Sequence, residues 1–101
     1  MDILYGILLR VKKRPGMYLR RVSLKYLYVF INGCLACLDE SDQVQGHDFY
    51  PGFQEFIQEK YKVEFDKHWS DIIEFYCYRE EEAFYLFFDL LDEFIEKSKV
   101  N

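Results

Sequence analysis

The stretch from Ser23 to Leu38, SLKYLYVFINGCLACL, constrains the fold more than any other part of the sequence. After Ser23 its only strongly polar side chains are those of Lys25 and Asn32. A surface helix carries one apolar stripe, whereas a helix that is apolar nearly all round is typical of a protein core. Ser23 is a good N-cap because its hydroxyl can accept a hydrogen bond from the first helical turn. The stretch therefore predicts a buried central helix over residues 23–38.

A membrane-spanning helix is the rival interpretation of the same stretch. Such a span needs roughly 20 predominantly apolar residues. This run ends sooner, and it contains Asn32 and Gly33. We therefore favour a core helix and expect no membrane association.

Length and composition indicate one folded domain over residues 1–101. The chain is 50% hydrophobic and 20% aromatic, which excludes an intrinsically disordered protein because disorder requires low hydrophobicity. A chain of 101 residues builds only a small core. So much apolar surface suggests that a partner covers part of it.

The net charge of −5 is unevenly distributed along the chain. Residues 1–30 carry a net charge of +6, and residues 31–101 carry −11. A dedicated DNA- or RNA-binding protein usually has a dominant basic face, so we expect no direct contact with nucleic acid. A strongly acidic body instead suits a basic protein partner, because opposite fields speed the encounter.

Cysteine and histidine residues give no catalytic or metal signature. Cys34 and Cys37 have the spacing of a redox or metal motif, but they fall inside the apolar helix rather than at the helix N-terminus that activates a thiol. A zinc site needs two further ligands, and only Cys77, His47 and His68 remain, far apart in sequence. We interpret Cys34 and Cys37 as buried, all three cysteines as reduced, and the histidines as surface residues. No enzyme activity, cofactor or metal is predicted.

The odd number of cysteines and the N-terminal sequence indicate a cytoplasmic protein. Three thiols cannot all pair within one chain. The first residues place their charges after the apolar run and lack a small-residue cleavage site, unlike a secretory signal peptide.

Helical periodicity and breakers predict an all-α, compact bundle of about five helices around the central one. Asp2 can cap a first helix that ends at Pro15, where Pro15-Gly16 indicates a turn, and residues 17–19 are expected to tuck back under the fold. Residues 39–48 predict a polar loop. The remaining predicted helices begin near Pro51, at a Ser70 cap with Trp69 packing just before it, and near Glu80. The helix after Ser70 is expected to run through Cys77, and the last helix to Lys97.

The last predicted helix separates apolar and acidic side chains most clearly. At about 100° per residue, its Ala, Phe, Leu and Ile residues share one arc. We predict that the opposite arc contacts a partner, with Tyr85 as an aromatic anchor of the kind that interfaces favour. The predicted contact residues on this helix are Glu82, Tyr85, Asp89, Asp92, Glu93 and Glu96. A second predicted contact is the loop of residues 39–48, through Asp39, Glu40 and Asp42.

The basic cluster from Arg10 to Arg21 has two interpretations. It could grip phosphate groups, as basic clusters in nucleic-acid-binding proteins do. It could also combine the cationic C-terminal end of the first helix with intramolecular partners for the acidic body. We favour the second interpretation.

Two known families share motifs with the chain. The segment from Arg14 to Leu19, RPGMYL, resembles the RPGMYI segment near the start of the ATPase domain of type II topoisomerase subunits. That domain is much longer, and its ATP-binding helix carries a Glu and an Asn. The helix that follows here has only Asn32, so the resemblance does not imply that this chain binds ATP.

A second resemblance covers more of the chain and points to toxin immunity. Four segments are similar to those of small bacterial immunity proteins: RPGMYL, the Ser-capped segment of residues 23–33, the W-S-x-I-I-x-F-Y segment of residues 69–76 and the E-E-E-A-F-x-L-F-F-x-L-L-x-E-F segment of residues 80–94. These proteins include partners of contact-dependent growth inhibition toxins. The resemblance implies an antitoxin that binds a cognate toxin, often a nuclease, and blocks its active site.

Two other function classes stay open at this stage. One is a self-associating helical adaptor that buries its surplus aromatic residues between copies. The other is a small nucleotide-binding protein or enzyme that uses His47 or His68. The sequence leaves the oligomeric state undetermined.

Overall fold

The computed structural model describes residues 2–40, 52–64 and 67–99, and in this part of the chain all regular structure is helical. The elements are α1 (Asp2–Lys13), α2 (Pro15–Tyr18), α3 (Leu24–Glu40), α4 (Gly52–Tyr61), α5 (Trp69–Phe75) and α6 (Glu80–Lys99). The all-α prediction is confirmed. The described helices number six rather than five, because Pro15 begins a short helix instead of a simple turn. Of the segment expected to tuck under the fold, only Leu19 is buried, while Met17 and Tyr18 are exposed.

The centre of the bundle is α6, not α3. Helix α6 packs against α3, α4 and α5, and its inner face buries three phenylalanines as well as leucines. The rings of Phe53 from α4, Trp69 from α5 and Phe87 from α6 meet with centroid distances of 5.2–5.5 Å. These are the distances at which aromatic rings attract one another in edge-on or offset arrangements. This aromatic cluster joins three of the helices.

Helix α3 is buried on one face only, so the prediction of burial all round is wrong. Leu24, Leu27 and Ile31 are buried at helical spacing. On the opposite side, Val29 is 66% exposed, and Asn32, Gly33, Ala36 and Cys37 are exposed as well. The predicted start of the helix is confirmed, because the backbone N–H of Lys25 donates to the Ser23 hydroxyl over 3.2 Å.

Helix α5 begins differently from the prediction. Its N-cap is His68, whose Nδ1 accepts from the backbone N–H of Ser70, while Ser70 itself is buried within the first turn. The Gln54 side chain accepts from the Trp69 N–H over 2.8 Å and donates to the Lys67 carbonyl over 2.7 Å. Trp69 therefore lies inside the helix, where α4 fixes its position, and the predicted packing before a Ser70 cap is wrong.

Candidate partner-binding surface

The six residues predicted as contacts on α6 lie on one side of the helix. They are Glu82, Tyr85, Asp89, Asp92, Glu93 and Glu96, here called the acidic face of α6, and all are exposed. At about 100° per residue they occupy an arc of roughly 100°. At about 1.5 Å per residue the face is roughly 21 Å long. The predicted α6 helix is confirmed from its first residue, and the structure extends it to Lys99.

The sequence around Arg79 explains why α6 starts where it does. The backbone N–H of Arg79 donates to the Glu82 carboxylate over 3.0 Å, the reciprocal half of a capping box. The Arg79 guanidinium also pairs with Glu81 at 3.4 Å. Arg21 pairs with Glu80 at 2.9 Å. The first turn of α6 is thus held by local contacts and by one long-range ion pair, which fixes where the acidic face begins.

Besides Glu82, two members of the acidic face already have partners within the chain. The Tyr5 hydroxyl donates to Asp92 over 3.1 Å, and Lys60 pairs with Glu93 at 2.9 Å. Burial, followed by the hydrogen bond to Asp92 and its negative charge, raises the pKa of the Tyr5 hydroxyl. These contacts tie the face to α1 and α4. They also remove part of the negative charge available to another molecule.

Other members of the acidic face are more open. Among the described residues, Asp89 and Glu96 form no hydrogen bond or ion pair. Tyr85 lies on the same arc, is 47% exposed and packs edge-on against Phe84. A half-exposed tyrosine one helical turn from an unpaired carboxylate is a combination that interfaces favour more than cores do.

The second predicted contact region falls mostly outside the described residues. Helix α3 continues through Glu40, so Asp39 and Glu40 belong to a helix rather than to the loop, and Glu40 is exposed. The Asp39 side chain, Asp42 and His47 lie outside the described residues.

The basic cluster does not act mainly as an intramolecular partner of the acidic body. Within the described part of the chain, Arg21 is its only member that forms a salt bridge. Lys12 instead lies 5.6 Å from the centre of the Phe88 ring, and Arg14 contacts the Met17 sulfur. Most of the positive charge is therefore exposed to solvent.

An exposed aromatic group at the end of α5 was missed at the sequence level. The sequence predicted a helix through Cys77, but α5 ends at Phe75. Phe75 is 80% exposed and Tyr78 fully exposed. Tyr76 stacks on Tyr61 at 4.7 Å and borders a groove of about 320 Å³. Periodicity contained a signal, because Phe75 points away from the arc that Trp69, Ile72 and Ile73 share on α5.

The cysteines and His68 show no arrangement for chemistry. Cys37 is exposed and Cys34 only partly buried, so the prediction that this pair is buried is wrong; Cys77 is also partly buried. Burial, reinforced by Cys37, raises the pKa of Cys34; burial, reinforced by Glu82 and Glu74, raises that of Cys77. Both thiols are weakly ionised at neutral pH. His68 is partly buried rather than a surface residue, and burial lowers its pKa.

Two further features are absent from residues 2–40, 52–64 and 67–99. No group of three or more His, Cys, Asp or Glu side chains there could hold a metal ion. None of the helices there combines the length and apolarity that crossing a bilayer requires.

Compared with protein-family models, curated proteins and solved structures, the chain matches none of them. The resemblance to immunity proteins therefore depends on the sequence motifs alone.

Proposed function

We propose that this chain is a cytoplasmic immunity protein that neutralises a bacterial toxin by binding it, without enzymatic activity of its own. The observation that carries the proposal is the open part of the acidic face, where Asp89, Glu96 and Tyr85 are exposed along one side of α6. These side chains combine charge for long-range attraction with an aromatic anchor for contact.

The chemistry of the face suits a basic partner, and a nuclease is the class that fits best. A nuclease active site is lined with positive charge because it must hold phosphate groups. A row of carboxylates on a rigid helix can occupy such a site in place of the phosphates. Because α6 packs against three other helices, its outward side chains are presented from a well-anchored element of the fold. The mechanism would be steric and electrostatic occlusion of the active site.

Tyr78 extends the proposed contact beyond the helix. It is fully exposed and lies four residues before Glu82, at the end where the acidic face begins. Exposed tyrosines are typical of binding hot spots when they are surrounded by residues that exclude water. We therefore include Tyr78 with Tyr85 as the two aromatic contacts of the proposed interface.

The first test is genetic context, followed by direct binding. A toxin reading frame, or its C-terminal fragment, directly beside the gene for this chain would support the proposal. The encoded toxin domain should then bind the purified chain and lose its toxicity when both are co-expressed. A neighbouring toxin that neither binds nor is neutralised would overturn the proposal.

The second test reverses charge on the acidic face without disturbing the fold. The Asp89→Lys/Glu96→Lys variant changes two carboxylates that have no partner among the described residues. We expect association with the toxin domain to slow by about tenfold or more at low salt, and the loss to shrink as salt screens the charges. Stopped-flow association kinetics measure both effects.

A matched control separates the acidic face from net charge. Glu55→Lys/Glu59→Lys makes the same change in charge at exposed positions of α4. This control should associate nearly as fast as the unchanged chain, with an unaltered helical circular dichroism spectrum. Equal slowing by both double variants would show that net charge, rather than α6, directs binding.

A further inference from the structure

The outward face of α3 is almost uncharged between its two ends. Its residues, here called the outer face of α3, are Lys25, Val29, Asn32, Gly33, Ala36 and Glu40. All six are exposed, and at about 100° per residue they occupy an arc of roughly 100°. A solvent-exposed helical face normally carries charged or strongly polar side chains. This one has a single amide between its terminal charges, so covering its middle would cost little hydration free energy.

The order of residues along this face is self-complementary. Lys25 stands near the N-terminal end, and Glu40 is the last residue of the helix. Val29 lies four residues after Lys25, and Ala36 lies four residues before Glu40. Asn32 and Gly33 occupy the midpoint. When two copies of a helix lie antiparallel, residues equally far from the midpoint come opposite each other.

We propose that two copies of this chain associate through the outer faces of α3, packed antiparallel about a two-fold axis. In this register Lys25 of each copy lies opposite Glu40 of the other, so the dimer forms two equivalent ion pairs. Val29 packs on Ala36, and Asn32 meets Gly33 near the axis. Such a closed two-fold contact uses the same surface on both copies, as most homodimers do.

Side-chain size at the midpoint permits close approach of the two helices. A Cβ placed on Gly33 would meet no other atom within 4 Å, so the space outside the helix is open in the single chain. Small residues at the crossing point allow helix axes to come within the usual 8–10 Å. With Gly33 opposite Asn32 and Ala36 opposite Val29, each facing pair contains one small residue, so the helices can approach at the near end of that range.

Charge complementarity within the face favours a second copy over a different partner. A basic partner would be repelled at Lys25, and an acidic partner would be repelled at Glu40. The reversed copy satisfies both ends at once. No residue of this face belongs to the acidic face of α6, so the inference does not depend on the proposed function.

Sedimentation velocity tests the association, with charge reversal and charge swap as the decisive variants. The unchanged chain should pass from the 12.4 kDa monomer to twice that mass as its concentration rises through the micromolar range. Glu40→Lys replaces two attractions by two repulsions and should weaken the dimer by about tenfold or more. The Lys25→Glu/Glu40→Lys double variant should restore association, because the opposite charges face each other again.

The Glu40→Lys variant is a cleaner single change than Lys25→Glu. Lys25 shares the lining of a surface pocket with Glu74, so a new carboxylate there also acts within the monomer. Arg20→Glu is a matched charge reversal at an exposed position outside the face, and it should leave the dimer intact.

A steric pair tests the midpoint independently of charge. Gly33→Arg places a long side chain at the proposed axis and should abolish the dimer while the monomer stays folded by circular dichroism. Gly16→Arg makes the same change at an exposed glycine of α2 with equally open surroundings, and it should leave association unchanged. A chain that stays monomeric at hundreds of micromolar overturns the inference. A dimer that survives both Glu40→Lys and Gly33→Arg also overturns it.

Discussion

The two longest helices, α3 and α6, show opposite relations between hydrophobicity and exposure. Each buries one face in the same core. Outside the core, α6 presents carboxylates, whereas α3 presents Val29, Gly33 and Ala36 between two terminal charges. Carboxylates hold water and act at a distance, while an uncharged face loses little when another surface covers it. The exposed side of α6 is therefore charged and hydrated, as the proposed toxin contact requires, whereas that of α3 is uncharged, as the proposed dimer contact requires.

The largest expected effect comes from the inner face of α6. Phe87 is fully buried against Phe53 and Trp69, so Phe87→Ala should lower the free energy of unfolding by about 3–5 kcal/mol. Val29→Ala on the outer face of α3 should change it by less than about 0.5 kcal/mol. Urea unfolding at low micromolar concentration measures both values. Similar losses in the two variants would contradict the assignment of α6 as the centre of the bundle.

The outcome at α6 explains which parts of the fold the sequence could predict. Helix α6 alternates apolar and acidic residues with helical spacing and carries acids at its start, so several local signals agree. Helix α3 lacks that alternation. Val29, Gly33 and Ala36 are apolar or small, so burying them costs little. Hydropathy alone does not tell whether the monomer covers such a face or leaves it exposed to solvent. The sequence therefore predicted where α3 lies in the chain but not that one of its faces is exposed.

The acidic face of α6 was predictable because it lies on one regular helix. The prediction was incomplete because some of its residues contact parts of the chain that are distant in sequence. The acidic arc follows from residue spacing on a single helix. The contacts of Asp92 with Tyr5 and of Glu93 with Lys60 join residues 87 and 33 positions apart, so no local pattern reveals them. At α5, the rule that Ser caps helices suggested Ser70, but the burial of Trp69 turns Ser70 inward and leaves the cap to His68.

The N-terminal caps of α3 and α6 should differ in their contribution to stability. Ser23 is fully buried and caps α3, so Ser23→Ala should cost about 1–2 kcal/mol of unfolding free energy. Glu82 accepts from the Arg79 N–H at the surface, where water can replace it, so Glu82→Ala should cost about 0.5 kcal/mol or less. Thermal unfolding followed by circular dichroism compares them. A larger loss for Glu82→Ala would reverse the expected ranking.

A methyl group at Gly33 should stabilise the monomer. The position is helical, exposed and free of neighbouring atoms within 4 Å, so Gly33→Ala should raise the free energy of unfolding by about 0.5–1 kcal/mol. Ala83→Gly on the buried face of α6 should act in the opposite direction, because it removes a packed methyl group as well as helix propensity. Denaturant unfolding below the concentration of dimer formation is the appropriate measurement. Destabilisation by Gly33→Ala would mean that another part of the monomer covers this face.

The smallest expected effect is a pH dependence at His68, which contacts the inner side of α3 through Tyr28 at a ring distance of 4.4 Å. Burial lowers the pKa of His68, and the charge of Asp71 only partly opposes this. The unfolded chain therefore binds the proton more readily, and the stabilisation present above the unfolded pKa of about 6.5 should be lost as pH falls towards the lower folded pKa. Protonation would also remove the Nδ1 acceptor that caps α5.

His68→Asn keeps a good capping residue without this titration, so the stability of this variant should depend less on pH between 7.5 and about 5 than that of the unchanged chain. Identical slopes for the two proteins would exclude His68 as the group responsible.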